Sequence, residues 1–234
     1  MTKAEVLKYL KDHRDERGIA HWEKHSASSG GLESCGIGLT RLRKYAKELG
    51  RNASLAEQLW KTQLYEAKVL SLLIDDPKSM TVEQAETQVE ELHGGYLAHV
   101  FSSCDATLAK TKFVVELAEA WVVSEDPVRR RCGYGLVYEV SKSKKKSAPE
   151  EPWFRAIIQR IETTREGQNV DTLMAMGTAL MGIGMRSKAL HAAALKIAKK
   201  LGPIEFDPDG RCEPFDVTKR LNHQLVKKRL GLKP

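Results

Sequence analysis

Three consecutive arginines, Arg129, Arg130 and Arg131, follow an Asp-Pro pair. Aspartate is a preferred N-cap residue and proline a preferred first helical residue, so this pattern predicts a helix that begins at Pro127. The helix dipole is positive at that end, and each cation in the first turns costs roughly 0.3–1 kcal/mol unless an anion offsets it. The arrangement therefore indicates an anion close to the arginines.

Two sources of negative charge could offset the positive charge of the three arginines. The adjacent Glu125 and Asp126 could screen Arg129 and Arg130 as solvated pairs, which is the simpler interpretation. Arg131 is different, because it lies beside the apolar stripe of the same helix. That stripe consists of Val128, Cys132, Leu136 and Val140. A cation at the edge of the core could line a groove and bind an anionic ligand there.

A second cationic group follows the same predicted helix. Residues 141–152, SKSKKKSAPEEP, have the composition of a loop. The loop contains Lys142, Lys144, Lys145 and Lys146. A lysine run in a loop is usually only solvated, but beside Arg131 it would extend a basic surface.

Histidines and cysteines give weaker chemical signals. His21 and His25 stand four residues apart, as zinc ligands on one helical face would, but no third ligand is apparent. The four cysteines are scattered and include no C-x-x-C pair, so they indicate neither a zinc site nor a disulfide framework. We therefore expect no metal and no cofactor, and a reducing compartment.

Composition restricts the partner and the compartment. The chain has 234 residues, 41% of them hydrophobic, a net charge of +7 and a pI of about 9.2. This charge favours a polyanion over an acidic protein as the partner. The N-terminus lacks an apolar signal region, and no apolar run approaches the length of a membrane span. We therefore expect a cytoplasmic protein, associated with the nucleoid or, in a eukaryote, nuclear. We also expect a monomer.

Hydrophobic periodicity of three and four residues predicts helices along nearly the whole chain. Potential capping boxes at Ser54-x-x-Glu57 and Thr81-x-x-Gln84 mark two of the starts. The predicted helices span residues 2–12, 17–26, 39–50, 54–62, 64–75, 81–92, 96–107, 110–123, 127–141, 152–165, 169–184, 187–200 and 215–230.

Short helices of similar length joined by short turns are typical of an α-solenoid of helical hairpins. We therefore predict an all-α fold, a single HEAT-like repeat domain over residues 1–234. No fixed sequence period supports the repeats, so an ordinary globular all-α fold stays open. The Gly- and Ser-rich stretch 25–38 is expected to be a mobile loop.

Residues 36–77 carry an ordered succession of short motifs. A G-(V/I)-x-(L/M)-x-x-(L/I)-R-x-(L/Y)-A-K segment is followed by LA-x-x-LW, by EA-K-x-L and by a closing D-P. Farther out, HWEKHSASSG looks like an H-N-x-x-H-G-A loop, and CEPFDVTKRLNHQLVKKRLG looks like a C-P-F tail. In order and spacing the chain resembles the DNA alkylation repair family of HEAT-like repeat proteins, of the AlkD type.

The resemblance implies a concave solenoid whose basic inner face holds duplex DNA through its phosphates. Glycosylases of this family excise N3- or N7-alkylated purines without flipping the base into a pocket. They place a Trp-x-x-x-Asp pair and a following Arg beside the lesion, and a second Trp lines the cleft. The carboxylate stabilises the oxocarbenium-like transition state electrostatically.

Only one of these four groups is matched in this chain. Arg131 aligns with the family arginine, which makes a DNA phosphate the anion expected at this helix start. Gly95 stands in place of the first Trp, His99 in place of Asp and Thr178 in place of the second Trp. A shift of two residues near this segment would make Asp105 a substitute carboxylate.

His99 cannot supply the missing negative charge, because an imidazole is neutral near pH 7 and cationic below. It could act as a general base on water, or it could be a partly buried histidine that donates to a backbone carbonyl. The neighbouring Tyr96 could present an aromatic ring to DNA or could pack on its own helix. The four tryptophans are expected in the core.

Three functions follow from this uneven match. The first is a DNA-binding HEAT-like protein without glycosylase activity, selective for damaged, bent or branched duplexes. Its phosphate contacts would be Arg129, Arg130, Arg131, Lys142, Lys144, Lys145 and Lys146. The second is an active alkylpurine DNA glycosylase with Asp105, or less directly His99, as catalytic group. The third is a protein-binding solenoid, which would leave the basic charge without a role.

Overall fold

A computed structural model describes residues 1–24, 29–145, 147–207 and 212–233. Within these ranges the chain is helical, without β-strands, and has two isolated bridges, Glu33 with Leu64 and Ile204 with Phe215. Its residues group into two compact units, Met1–Val114 and Val115–Pro234. The expectation of one domain over the whole chain stays a prediction.

The first unit contains seven α-helices and a short 3-10 turn. They are α1 Lys3–Asp12, α2 Glu16–Lys24, α3 Leu39–Leu49, α4 Ala53–Trp60, α5 Tyr65–Ile74, α6 Val82–Glu90, α7 Gly95–Ser102 and the turn Leu108–Lys110. Nearly every side chain of α5 is buried, and this helix contacts α1, α3, α4 and α7. A helix that is apolar on nearly all sides belongs at the centre of its unit.

The second unit begins within α8 Val114–Val122. It continues with α9 Pro127–Lys142, α10 Glu151–Thr164, α11 Val170–Gly184, α12 Lys188–Leu201, α13 Val217–Leu221 and α14 Gln224–Leu230. Helix α11 contacts α9, α10, α12 and α13, so it is the centre of this unit. Gly182 has no room for a side chain, since a Cβ there would lie 2.2 Å from the Ser141 hydroxyl oxygen of α9.

The predicted helices are confirmed along most of the chain, and the differences have local causes. Asn52, not Ser54, caps α4, and its side chain accepts from the backbone N–H of Leu55 at 2.9 Å. Thr81 caps α6 as expected. The single helix predicted over 215–230 is wrong, because the His223 side chain caps a new helix after the turn at Asn222.

The helix predicted over 96–107 ends earlier, at Ser102. The hydroxyls of Ser102 and Ser103 donate to helix carbonyls, at 3.0 Å and 2.6 Å, and so compete with backbone hydrogen bonding. Cys104 and Asp105 follow with φ of 58° and 68°, in the left-handed region that an α-helix excludes. The helix predicted over 110–123 is correspondingly reduced to 114–122.

Part of the stretch expected to be a mobile loop is tightly held. The fully buried carboxylate of Glu66 on α5 accepts from the Ser34 hydroxyl at 2.7 Å and from the backbone N–H groups of Cys35 and Ile37 at 3.0 Å and 3.1 Å. These bonds attach residues 34–37 to the central helix of the unit. Residues 25–28 lie outside the described residues.

Candidate nucleic-acid interface

The start of α9 has the capping arrangement that its sequence predicts. The Asp126 carboxylate accepts from the backbone N–H of Arg129 at 2.6 Å, and Pro127 is the first helical residue. Asp126 therefore satisfies a backbone donor of the helix. The three arginine side chains are half-buried around this helix start.

Arg130 is held by acceptors of its own unit. Its guanidinium donates to the carbonyl oxygens of Ser124 and Glu125 at 2.6 Å and 3.1 Å, and to the side-chain oxygen of Gln168 at 2.9 Å. Backbone carbonyl oxygens and an amide oxygen thus bind Arg130, instead of the carboxylates of Glu125 and Asp126 that the sequence suggested as its partners. Any phosphate contact of Arg130 would have to share donors that are already in use.

Arg131 has the opposite arrangement. Its side chain is only 12% exposed, and its Nε lies 3.8 Å from a carboxylate oxygen of Asp171, too far for a hydrogen bond. Nε and Nη1 are buried and have no hydrogen-bond partner among the described residues. Leaving a buried charged donor unsatisfied costs at least roughly 1–3 kcal/mol. Because both nitrogens are closed to solvent, a ligand oxygen would reach them, and remove that cost, only after the groups around Arg131 move.

Asp171 is the residue near Arg131 that the sequence did not indicate. It lies in the first turn of α11, whose start is capped by the Asn169 side chain accepting from the Thr172 backbone N–H at 2.8 Å. An acidic residue in a first turn is common, because it complements the helix dipole. Only the packing of α9 against α11 shows that Asp171 lies beside Arg131.

The lysine loop has an anchored base and exposed cations. Arg186 donates to the carbonyl oxygens of Ser141 and Ser143 at 2.7 Å and 2.9 Å, which fixes the end of α9. Lys142 belongs to α9, and its ammonium lies 2.5 Å from Glu139 and 4.8 Å from the ring centre of Tyr138. The side chains of Lys144 and Lys145 are exposed, and Lys146 lies outside the described residues.

His99 lies in the last turn of α7 and is exposed, not partly buried as the sequence suggested. Its Nε2 is 3.3 Å from the Cys104 sulfur, and its Nδ1 is 3.4 Å from the Ser103 hydroxyl. The imidazole therefore lies within reach of the Ser103 hydroxyl and the Cys104 thiol, which follow it in the chain.

Asp105 follows this helix end at the left-handed backbone position. Its carboxylate is 68% exposed and lies 3.5 Å from the Arg43 guanidinium of α3. The side chain therefore has a carboxylate that solvent can reach, with a cation beside it. Its carbonyl oxygen accepts from the Lys110 ammonium at 2.6 Å.

Comparison with known proteins identifies the family. A family model described as DNA alkylation repair enzyme matches residues 6–204. The chain belongs to this family. No curated protein matches the sequence.

Comparison with solved structures supports the fold. One structure is described as "a new family of proteins related to the HEAT-like repeat DNA glycosylases with affinity for branched DNA structures". This chain is similar to it with a TM-score of 0.82 and 24% sequence identity, over 100% of this chain and 97% of the other. The DNA alkylation repair member described here therefore has an all-α, HEAT-like fold, as its sequence predicted.

Two further positions bear on the site of this DNA alkylation repair protein. Gly95, predicted from the sequence to replace the first family Trp, has a φ of 60°, a conformation that L-residues with side chains rarely adopt. Thr178, predicted to replace the second Trp, donates its hydroxyl proton to the Met174 carbonyl within α11 at 2.8 Å. Neither position presents an aromatic ring.

The aromatic residues divide between core and surface. Trp60 and Trp121 are buried, as expected, whereas Trp22 and Trp153 are half-buried. Tyr96 is 55% exposed, so it does not pack fully on its own helix.

Two absences concern the described residues alone. In residues 1–24, 29–145, 147–207 and 212–233, no three His, Cys, Asp or Glu side chains are grouped so that they could hold a metal ion. Across the same ranges, no helix is both long and apolar enough to cross a membrane. His25, considered above as a zinc ligand with His21, lies outside them.

Proposed function

We propose that this protein binds duplex DNA through Arg131 and the basic residues around it, and that it does so without excising bases. The observation that carries the proposal is the buried guanidinium of Arg131, whose Nε and Nη1 have no hydrogen-bond partner in the part of the chain that the structure describes. The planar arginine fork matches the geometry of phosphate oxygens, and phosphate contacts position a protein on the duplex.

Four further observations support DNA as the ligand. The chain belongs to a DNA alkylation repair family, has a net charge of +7 and exposes Lys144 and Lys145 beyond the end of α9. The protein of similar fold is described as having affinity for branched DNA. We infer that damaged or branched duplexes are the preferred substrates of this chain as well.

The absence of excision is inferred from the residues at the family's catalytic positions. Glycine, histidine and threonine stand at the places of Trp, Asp and Trp. A preorganised anion beside the sugar typically contributes several kcal/mol to a transition state with positive charge. The chain has no such group at the aligned position.

Two carboxylates favour an active glycosylase as a second candidate. Asp105 has an exposed carboxylate near the position that the family uses, and Asp171 lies beside the family arginine, Arg131. Either could stabilise an oxocarbenium ion if DNA were to place the sugar next to it.

The test compares two adjacent arginines. Arg131→Ala should weaken binding to a duplex and to a four-way junction by roughly 5- to 150-fold. Its melting temperature should not fall, because the half-exposed Asp171 pair contributes little and the variant removes two unsatisfied buried donors. Arg130→Ala should weaken binding less and lower the melting temperature, because it loses three internal hydrogen bonds.

The reverse pattern would contradict the proposal. If Arg131→Ala unfolds at a much lower temperature and binds DNA as the unchanged protein does, Arg131 is a structural residue. Fluorescence anisotropy and a thermal melt on the unchanged protein, Arg131→Ala and Arg130→Ala decide whether Arg131 contacts DNA or supports the fold.

A further inference from the structure

The first unit contains a pocket of about 220 Å³ that the candidate interface does not use. Its lining includes Trp22 of α2, Lys68 of α5, Glu91 directly after α6 and Tyr96 of α7. Gln63 and the backbone of Gly30 and Gly94 complete much of the rim. The pocket thus combines aromatic walls with a small number of polar groups, which is the usual composition of a ligand site.

The aromatic wall formed by Trp22 is fixed in place. Its indole Nε1 donates to the Leu32 carbonyl at 3.2 Å, and its ring lies against Tyr65 with centroids 4.6 Å apart. Tyr96, by contrast, is 55% exposed, so its ring is available to a ligand. A flat ligand can therefore stack on a preorganised aromatic surface.

The polar group of the pocket is a buried lysine. The Lys68 side chain is 9% exposed, and its ammonium donates to the Trp60 carbonyl at 2.6 Å and lies 4.2 Å from the centre of the Trp60 ring. Burial lowers the pKa of Lys68, and the nearby Glu91 carboxylate opposes that shift. An ammonium has three donors, so the Trp60 bond leaves further donors for a ligand.

Glu91 places an acceptor next to this donor. A Glu91 carboxylate oxygen lies 3.6 Å from the Lys68 ammonium, and the Glu91 side chain is 47% exposed. The pocket therefore presents a donor and an acceptor side by side, and Trp22 and Tyr96 line the same pocket.

We propose that this pocket binds one unpaired nucleobase of a DNA substrate. The Watson–Crick edge of every DNA base places an acceptor next to a donor, which matches the Lys68–Glu91 pair. In a duplex the partner base occupies that edge, so the pocket selects an unpaired base. Proteins that take up extruded bases read the same edge by hydrogen bonds and stack the base on aromatic side chains.

The size of the pocket limits the ligand to a single base. Sites for drug-sized ligands have volumes of roughly 300–1,000 Å³, larger than this pocket. Glycines at two positions of the rim lack side chains, so the sugar and phosphate can remain outside. This inference rests on the proposed DNA binding and adds to it a feature that distinguishes DNA with an unpaired base, such as a bulge, from a continuous duplex.

The experiment uses two duplexes that differ by one base. Each contains a central one-nucleotide bulge, one with an adenine and one with an abasic tetrahydrofuran residue on the same backbone. Stacking one base on protein aromatics should make the adenine bulge bind on the order of 5- to 150-fold more tightly. Tyr96→Ala should reduce this ratio and leave the affinity for the abasic bulge unchanged, because an exposed Tyr adds little to folding.

Phe206→Ala is the matched control, since Phe206 is a 42% exposed aromatic of the second unit and does not line the pocket. It should preserve the ratio. Equal affinity of the unchanged protein for the two bulges would refute the pocket while leaving DNA binding intact. Failure to bind either oligonucleotide would refute the proposed function and, with it, a nucleobase as occupant.

Discussion

In the proposed alignment with the DNA glycosylases of the resembled type, the imidazole of His99 stands at the position of their carboxylate. His99 is exposed and has the Cys104 sulfur 3.3 Å from its Nε2. A neutral or protonated imidazole gives no stabilisation to the positive charge that develops on the sugar during base excision. We propose that the identity of this one side chain separates DNA binding from catalysis in this protein.

Incubation with DNA that contains N7-methylguanine or N3-methyladenine should give little base release above the spontaneous rate. Loss of a placed anion worth several kcal/mol reduces the rate by orders of magnitude. The measurement is the amount of free base released under single-turnover conditions.

Rapid release would contradict this expectation, and three variants would then locate the catalytic group. Asp105→Asn or Asp171→Asn should stop the reaction, with DNA binding intact, if the carboxylate has moved to either position. If only His99→Ala stops it, a histidine-based mechanism operates.

At the residue scale the sequence predicted the arginine cluster but not the roles within it. Arg130 and Arg131 are neighbours of the same type, and only the fold supplies acceptors to one of them. The alignment also suggests rebuilding the family pair with Gly95→Trp and His99→Asp. The left-handed backbone of Gly95 makes that Trp strained, which no alignment of residue types reveals.

At the scale of elements, one buried carboxylate binds three groups of the segment 34–37. Glu66 lies in the first turn of α5 and accepts from residues that stand 29 to 32 positions earlier in the chain. The Gly- and Ser-rich composition of the segment indicated mobility. Its order comes from a long-range partner, which local composition cannot predict.

Replacing Glu66 should therefore destabilise the protein strongly. In Glu66→Ala the backbone N–H groups of the buried Cys35 and Ile37 lose their acceptors, at a cost of roughly 1–3 kcal/mol each. Circular dichroism should show a melting temperature lower by roughly 5 °C or more.

Glu57→Ala is the matched control for that variant. Glu57 is 67% exposed and pairs with Lys61 on the same helix, so its loss should change stability by no more than about 0.5 kcal/mol. Equal melting temperatures for the two variants would show that Glu66 does not hold the segment.

The positions of the helices were predictable from the sequence because each helix buries an apolar stripe. The residues at which the helices begin and end were harder to predict. The ends depend on which side chain caps, as with Asn52 before α4 and His223 before α14. Several capping candidates stand close together in the sequence, and tertiary packing selects among them.

At the scale of the whole molecule, the net charge of +7 predicts a polyanionic partner but not the location of its cations. Many of them are already paired: Lys142 with Glu139, Lys200 with Glu162 and Arg155 with Glu151. Arg131 keeps two buried donors without a partner among the described residues, and Lys144 and Lys145 after α9 are exposed. The fold class followed from helical periodicity, and the family from the order of short motifs.

The most direct test of the account is the salt dependence of DNA binding by the unchanged protein. Phosphate contacts release counterions, so with about six contacts the affinity for a duplex or junction should fall on the order of 1,000-fold between roughly 50 and 200 mM salt. Fluorescence anisotropy titrations at a series of salt concentrations measure this slope. An affinity that does not change over that range would contradict DNA binding through the basic residues described here.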